Sequence, residues 1–230
     1  MLGAGGVTGG AFHAGVLAAL EEVTGWDPRS AAVMVGTSAG SVAATSLRAG
    51  LSAPDLFARS EGRPLSPAGA ALMRALGPPR RPPPLTVAPG PRRPADVRAI
   101  LGRAVARPFS APPWALLSAL VPEGSVSTSM ISDAISALFR GEWPAEPLWI
   151  CAVRQDDGQR VVFGRDDAHR PPLADAVAAS CAIPGYFSPV TIDGQRYVDG
   201  GVHSPTNGDV LVREREKSSS TWCSSALPCR

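Results

Sequence analysis

The pentad Gly36-Thr37-Ser38-Ala39-Gly40 has the residue types and spacing of a nucleophile elbow. A short apolar run, Val33-Met34-Val35, leads into it and the Ala-rich segment Val42-Ala43-Ala44 leads out. That is the strand, turn and helix order the motif requires. A serine at the tip of such a turn presents its hydroxyl to a substrate, on a backbone strained enough to need flanking glycines. The helix that follows aims its dipole and free N–H groups at the place where negative charge develops. Taken alone, the pentad also fits an ordinary strand-to-helix turn.

Near the start lies a second cluster, Gly3-Ala4-Gly5-Gly6-Val7-Thr8-Gly9-Gly10. As a dinucleotide fingerprint it fails, because Thr8 stands where the third glycine belongs and no full strand leads in. As a phosphate-binding loop it lacks the Gly-Lys-Ser/Thr ending. Consecutive glycines at a helix start do point several N–H groups into one small space, which suits the oxygen of a tetrahedral intermediate. The alternative is a purely structural turn. A third feature, Asp199-Gly200-Gly201, follows a strand; by itself Asp199 fits a turn aspartate. His13, His169 and His203 are the histidines available to a Ser–His–Asp triad, and His203 follows Asp199 too closely to be oriented by it from a separate loop.

The elements that must carry these residues follow from periodicity. A helix is expected over 11–23, with Phe12, Val16, Ala19 and Val23 on one stripe, Glu21 and Glu22 facing away, and a stop at Gly25. Residues 31–36 predict a buried strand and 38–49 the elbow helix. An amphipathic helix is expected over 129–139. Two hairpins are expected, one turning at Asp156-Asp157-Gly158 and one at Asp193-Gly194, with a small-residue helix over 173–182 between them.

Composition changes between about 51 and 125, where 15 of the 24 prolines lie. Proline at that density defeats regular ladders, so short helices near 68–76 and 94–106 and extended linkers are expected. This stretch is either a lid or membrane-facing flap or a poorly ordered insertion. Residues 51–110 hold ten arginines against Asp55, Glu61 and Asp96. Such a stretch suits contact with an anionic lipid surface, with Leu72, Met73, Trp114, Leu116 and Leu117 available for shallow insertion. The whole chain, 230 residues with a formal net charge of +2, does not have the balance of a nucleic-acid binder. Cys151, Cys181, Cys223 and Cys229 lack metal-type spacing and fit reduced thiols. No apolar run is long enough to span a bilayer. A cytoplasmic protein, peripheral to a membrane at most, is expected, without metal or cofactor. Residues 213–230 are polar and aperiodic and are expected to be disordered.

Together these blocks resemble the bacterial patatin-like phospholipases. The resemblance covers 2–50 and 128–209. It rests on the Gly-rich loop closed by Gly15-Val16-Leu17, the Ser38 elbow, Ala179-Ser180-Cys181-Ala182-Ile183-Pro184-Gly185-Tyr186-Phe187, and Asp199-Gly200-Gly201. It implies an α/β fold, a three-layer α/β/α sandwich over 1–212, and hydrolysis of lipid acyl esters by a Ser–Asp dyad without histidine. On this resemblance Ser38 is the nucleophile, Asp199 its base, and Gly5, Gly6 and Gly10 the oxyanion hole. Val7 and Gly9 stand where many members have a third glycine and an arginine, which leaves backbone donors and the helix dipole to hold the charge. Members also carry a full strand before the Gly loop and a further strand-helix portion after Asp-Gly-Gly. The resemblance therefore implies a chain incomplete at both ends, and an inactive lipid-binding remnant is the alternative function.

Overall fold

The computed structural model describes residues 1–75, 123–139, 142–165 and 170–212. The 94–106 helix, the arginines of 76–110, Trp114, Leu116, Leu117, His169 and the tail from 213 lie outside the described residues.

Helix α1 spans Gly6–Thr24, β1 Met34–Thr37, α2 Ala39–Arg48, α3 Ala53–Ser60 and α4 Pro67–Ala75. Helix α5 spans Ser129–Phe139, and β2 (Leu148–Arg154) forms a hairpin with β3 (Arg160–Phe163). Helix α6 covers Leu173–Ser180, and a second hairpin joins β4 (Val190–Ile192) to β5 (Gln195–Asp199). Asp193 and Gly194, at φ 49° and 75°, supply the two left-handed residues that a tight two-residue hairpin turn requires.

Strand β2 is the hub of the five-stranded sheet. It pairs in parallel with β1 (Gly36 opposite Ile150, Thr37 opposite Cys151) and antiparallel with β3 through Ile150 to Val153. It also pairs antiparallel with β5, Ala152 opposite Asp199. Since β3 occupies one edge of β2 along this stretch, β1 and β5 must share the other edge in tandem. Their carboxyl ends therefore meet head to head, one residue step apart. Leu2 extends the sheet beyond β1 by a single bridge, its N–H donating to Val35 O at 2.8 Å and its carbonyl accepting from Thr37 N at 3.0 Å.

The two faces of the sheet alternate along each strand. Met34, Leu148, Ile150, Ala152 and Phe163 face a core shared with Ala44, Leu47, Leu56, Leu173 and Val177 from the helices. Val35, Trp149, Cys151 and Val162 face the other way and pack on Val210 and Leu211, in the helical turn 209–212. This mixed α/β sheet, with helices on one face and the chain returning to cover the other, fits the α/β/α class.

Two expectations need correction. Phe12, Val16, Ala19 and Val23 are exposed on α1, with Phe12 at 67% and Val23 at 83%. The inward face is instead the small-residue side, with Ala14 buried, Leu17 against the core and Gly15 close to Phe57 of α3. Leu72 and Met73 pack against the same core rather than standing free for membrane insertion.

Candidate active site

Ser38 sits between β1 and α2 at φ 54°, ψ −124°, a conformation that L-residues rarely adopt. The neighbouring glycines explain how the chain gets there. A Cβ on Gly36 would stand 2.5 Å from Ser41 Cα, and one on Gly40 2.1 Å from the carbonyl oxygen of Leu2. Both are backbone approaches that only glycine permits. The Gly40 N–H donates to Gly3 O at 3.1 Å, which ties the elbow to the N-terminal loop.

The head-to-head meeting of β1 and β5 brings Asp199 to Ser38. The Ser38 side chain stands close enough to the Asp199 carboxylate to favour its charged form, and that carboxylate accepts the Gly201 N–H at 2.7 Å. Both residues are buried. Burial raises the Asp199 carboxyl above its ordinary range, and the Ser38 side chain and the Gly201 N–H only partly oppose that rise. Gly200 and Gly201 let the chain turn away tightly: a Cβ on Gly200 would lie 2.2 Å from Cys151 O, and one on Gly201 3.0 Å from Asp199 Oδ1.

The Gly-rich stretch is helix earlier than its composition suggests. Helix α1 begins at Gly6, itself left-handed at φ 58°, and Gly5 occupies the N-cap with no side chain capping the helix. The N–H groups of Gly6, Val7 and Thr8 thus have no acceptor one turn back, whereas the Gly9 N–H is taken by Gly5 O at 2.8 Å. Gly10 lies a full turn in, where its N–H belongs to the helical ladder. Gly5 and Gly6 thus stand at the exposed, uncapped start of α1, whereas Gly10 lies within the helix.

Three further residues shape the site. Ser180 Oγ accepts the Ser38 N–H at 2.9 Å and donates to Cys151 O at 2.7 Å, so the amide of Ser38 is consumed internally. With Gly40 also committed, Ala39 is the first-turn residue of α2 whose N–H has neither a ladder acceptor nor a capping side chain. His13 Nε2 lies 2.8 Å from Gly3 O, the carbonyl that also takes the Gly40 N–H; it braces the loop and is bonded to backbone. His203 lies in the turn that follows Gly200–Val202. Sequence spacing singles out neither Ala39 nor the internal use of Ser180, because the Ser180 contact joins residues 142 positions apart.

Cys181 stands beside Asp199 and Ser41. Burial is the main cause that pushes its thiol up to about 12, and Cys151 rises likewise to about 11. Both are free, buried thiols held in the protonated, unreactive form.

An elbow serine set close to a buried aspartate, with an uncapped glycine-rich helix start nearby in the chain fold, is an arrangement that can run acyl transfer. Compared with protein-family models, residues 1–212 match the patatin-like phospholipase model, a span that includes every residue of this site. The chain belongs to the patatin-like phospholipase family.

Proposed function

We propose that the protein is a serine acyl hydrolase acting on lipid esters, with Ser38 as nucleophile and Asp199 as its base. The observation that carries this reading is the approach of a left-handed elbow serine to a buried aspartate whose charge it stabilises. Asp199 takes the hydroxyl proton as Ser38 Oγ attacks the ester carbonyl carbon. The oxygen of the tetrahedral intermediate is held by N–H groups of Gly5, Gly6 and Ala39 and by the N-terminal ends of α1 and α2. Collapse releases the alcohol, which takes the proton from Asp199. Water, deprotonated by the same carboxylate, then frees the fatty acid and restores Ser38. Burial suits Asp199 to this work, since a carboxylate with a raised pKa is a stronger base.

The setting proposed is cytoplasmic, at anionic membrane surfaces. Arg59, Arg63 and Arg74 are exposed on the described part of the cationic stretch, though Arg63 is already paired with Glu61. The test is fluorophosphonate labelling together with turnover of short aryl esters and of phospholipid in vesicles. Labelling of the wild type that is lost in Ser38→Ala, and a fall in kcat of roughly 10²–10⁴-fold in Asp199→Asn, are expected. Faster turnover on anionic than on zwitterionic vesicles, reduced by salt, is expected of the membrane contact. A folded protein that no probe labels would leave the inactive lipid-binding reading instead.

A further inference from the structure

Asn207 is fully buried and left-handed at φ 51°, an unusual pair of properties for a polar side chain between elements. Its amide nitrogen donates to Thr37 Oγ1 at 3.0 Å and to Ser204 O at 2.8 Å, with Gly200 O at 3.4 Å. Thr37 is the residue before Ser38, and Gly200 the residue after Asp199. On the other side, Asn207 Oδ1 accepts from Arg160 NH1 at 3.1 Å. That guanidinium is itself gripped by Asp209 through two bonds of 2.5 and 2.6 Å. A carboxamide facing a guanidinium must present its oxygen, so the NH₂ group is turned toward Thr37 and Gly200.

Strands β1 and β5 meet end to end and share no ladder bond with one another; β2 is the strand that pairs with both. The junction between the two strand ends is where Ser38 and Asp199 must meet. We propose that Asn207 is a positioning residue that sets the spacing of Ser38 and Asp199 by clasping both strand ends from outside the ladder. This rests on the roles given above to those two residues. The Arg160–Asp209 pair supplies the anchor, and the left-handed backbone lets so short a side chain reach both ends.

The test is Asn207→Asp in the full chain. It keeps the shape, tolerates the left-handed backbone and retains the Arg160 contact, but removes both donors. Thr37→Val removes the facing hydroxyl while preserving side-chain shape. Fluorophosphonate labelling at a temperature where all variants are folded should slow about tenfold or more in each single variant. The double variant should be little slower than either single one, since both cut the same bond. KM for a short aryl ester should move far less than kcat. Hydrogen exchange at 36–40 and 199–202 should quicken together in Asn207→Asp. Wild-type labelling rates in folded variants would overturn the proposal, as would additive losses in the double variant. A wild type that resists the probe would instead remove the hydrolase reading; the clasp then stands or falls on whether exchange quickens jointly at the two strand ends.

Discussion

At Asp199 the proposed role as base and the stability of the fold make opposite demands. The carboxylate is buried to reach Ser38, and burial is the largest cause of its raised pKa. The folded state therefore holds the proton to higher pH than the unfolded chain does. Where the folded state binds more protons, unfolding free energy falls as pH climbs through the window between the two pKa values. Asp199 therefore costs stability above that window and costs nothing below the unfolded value. Asparagine cannot ionise, yet its oxygen can still accept the Gly201 N–H. Asp199→Asn should melt at a higher temperature than the wild type at neutral pH, and the gap should close as pH falls toward the ordinary aspartate range. Ester turnover by the wild type should decline over that same acid window, as the base takes up its proton. Thermal melts of both proteins against pH, beside a pH–rate profile, check the sign; a variant less stable at neutral pH would contradict it. The pentad was legible in the sequence because its glycines are steric necessities with a fixed local spacing. Asn207 was not, because its bond to Thr37 joins residues 170 positions apart.

Among the elements, α1 shows what periodicity can and cannot tell. The apolar spacing over 11–23 marks a helix, and a helix is there, but the spacing does not say which side faces inward. The close approach of α1 to α3 is made by Ala14 and Gly15, so the small side packs and the Phe12 side stays outside. Both hairpins were legible because an Asp-Gly pair fixes its turn locally. The role of Asp55 was not. It looked like one of three acids set against ten arginines, yet it is buried, and its carboxylate accepts Ser66 N at 2.7 Å, Ser66 Oγ at 2.7 Å and Ser52 Oγ at 2.8 Å. Burial raises this carboxyl, but the bonds from Ser66 and Ser52 outweigh it and the net shift is downward. The stability it supplies is thus present above the ordinary aspartate pKa and lost as pH falls through the depressed one. Asp55→Ala, which strands the Ser66 N–H, should destabilise the protein by about 1–3 kcal/mol at neutral pH. The loss should shrink in acid, as read by denaturant melts, while the kcat of the folded variant stays near wild type.

Across the whole molecule, the last described turn does more for the site than its place in the chain suggests. Val210 is fully buried against Val35, Trp149, Cys151 and Val162, on the face of the sheet opposite most of the helices. Asp209 holds Arg160 of β3, and Pro205 O receives the Ala4 N–H at 2.7 Å, so 204–212 also fastens the loop ahead of α1. The sequence showed where the family resemblance ended but not that its final residues close the second face, since four residues are too few for a period to register. Tolerance of truncation follows burial and backbone bonding rather than distance from a terminus. Two stop positions therefore separate sharply. A chain ending at Val212 keeps the Val210 packing, the Asp209–Arg160 pair and the Pro205–Ala4 bond. It should melt within a few degrees of the full chain and label with fluorophosphonate at a similar rate. A chain ending at Ser204 exposes Val35 and Trp149, leaves the Arg160 guanidinium without its carboxylate and frees the Gly-rich loop. Losing the buried Val210 and leaving the mostly buried Arg160 side chain without its half-exposed Asp209 partner costs several kcal/mol, a large share of the 5–15 kcal/mol that stabilises a typical domain. That shorter chain should be insoluble or unlabelled. If it folded and labelled like the longer one, the second face and the Asn207 clasp would both be dispensable.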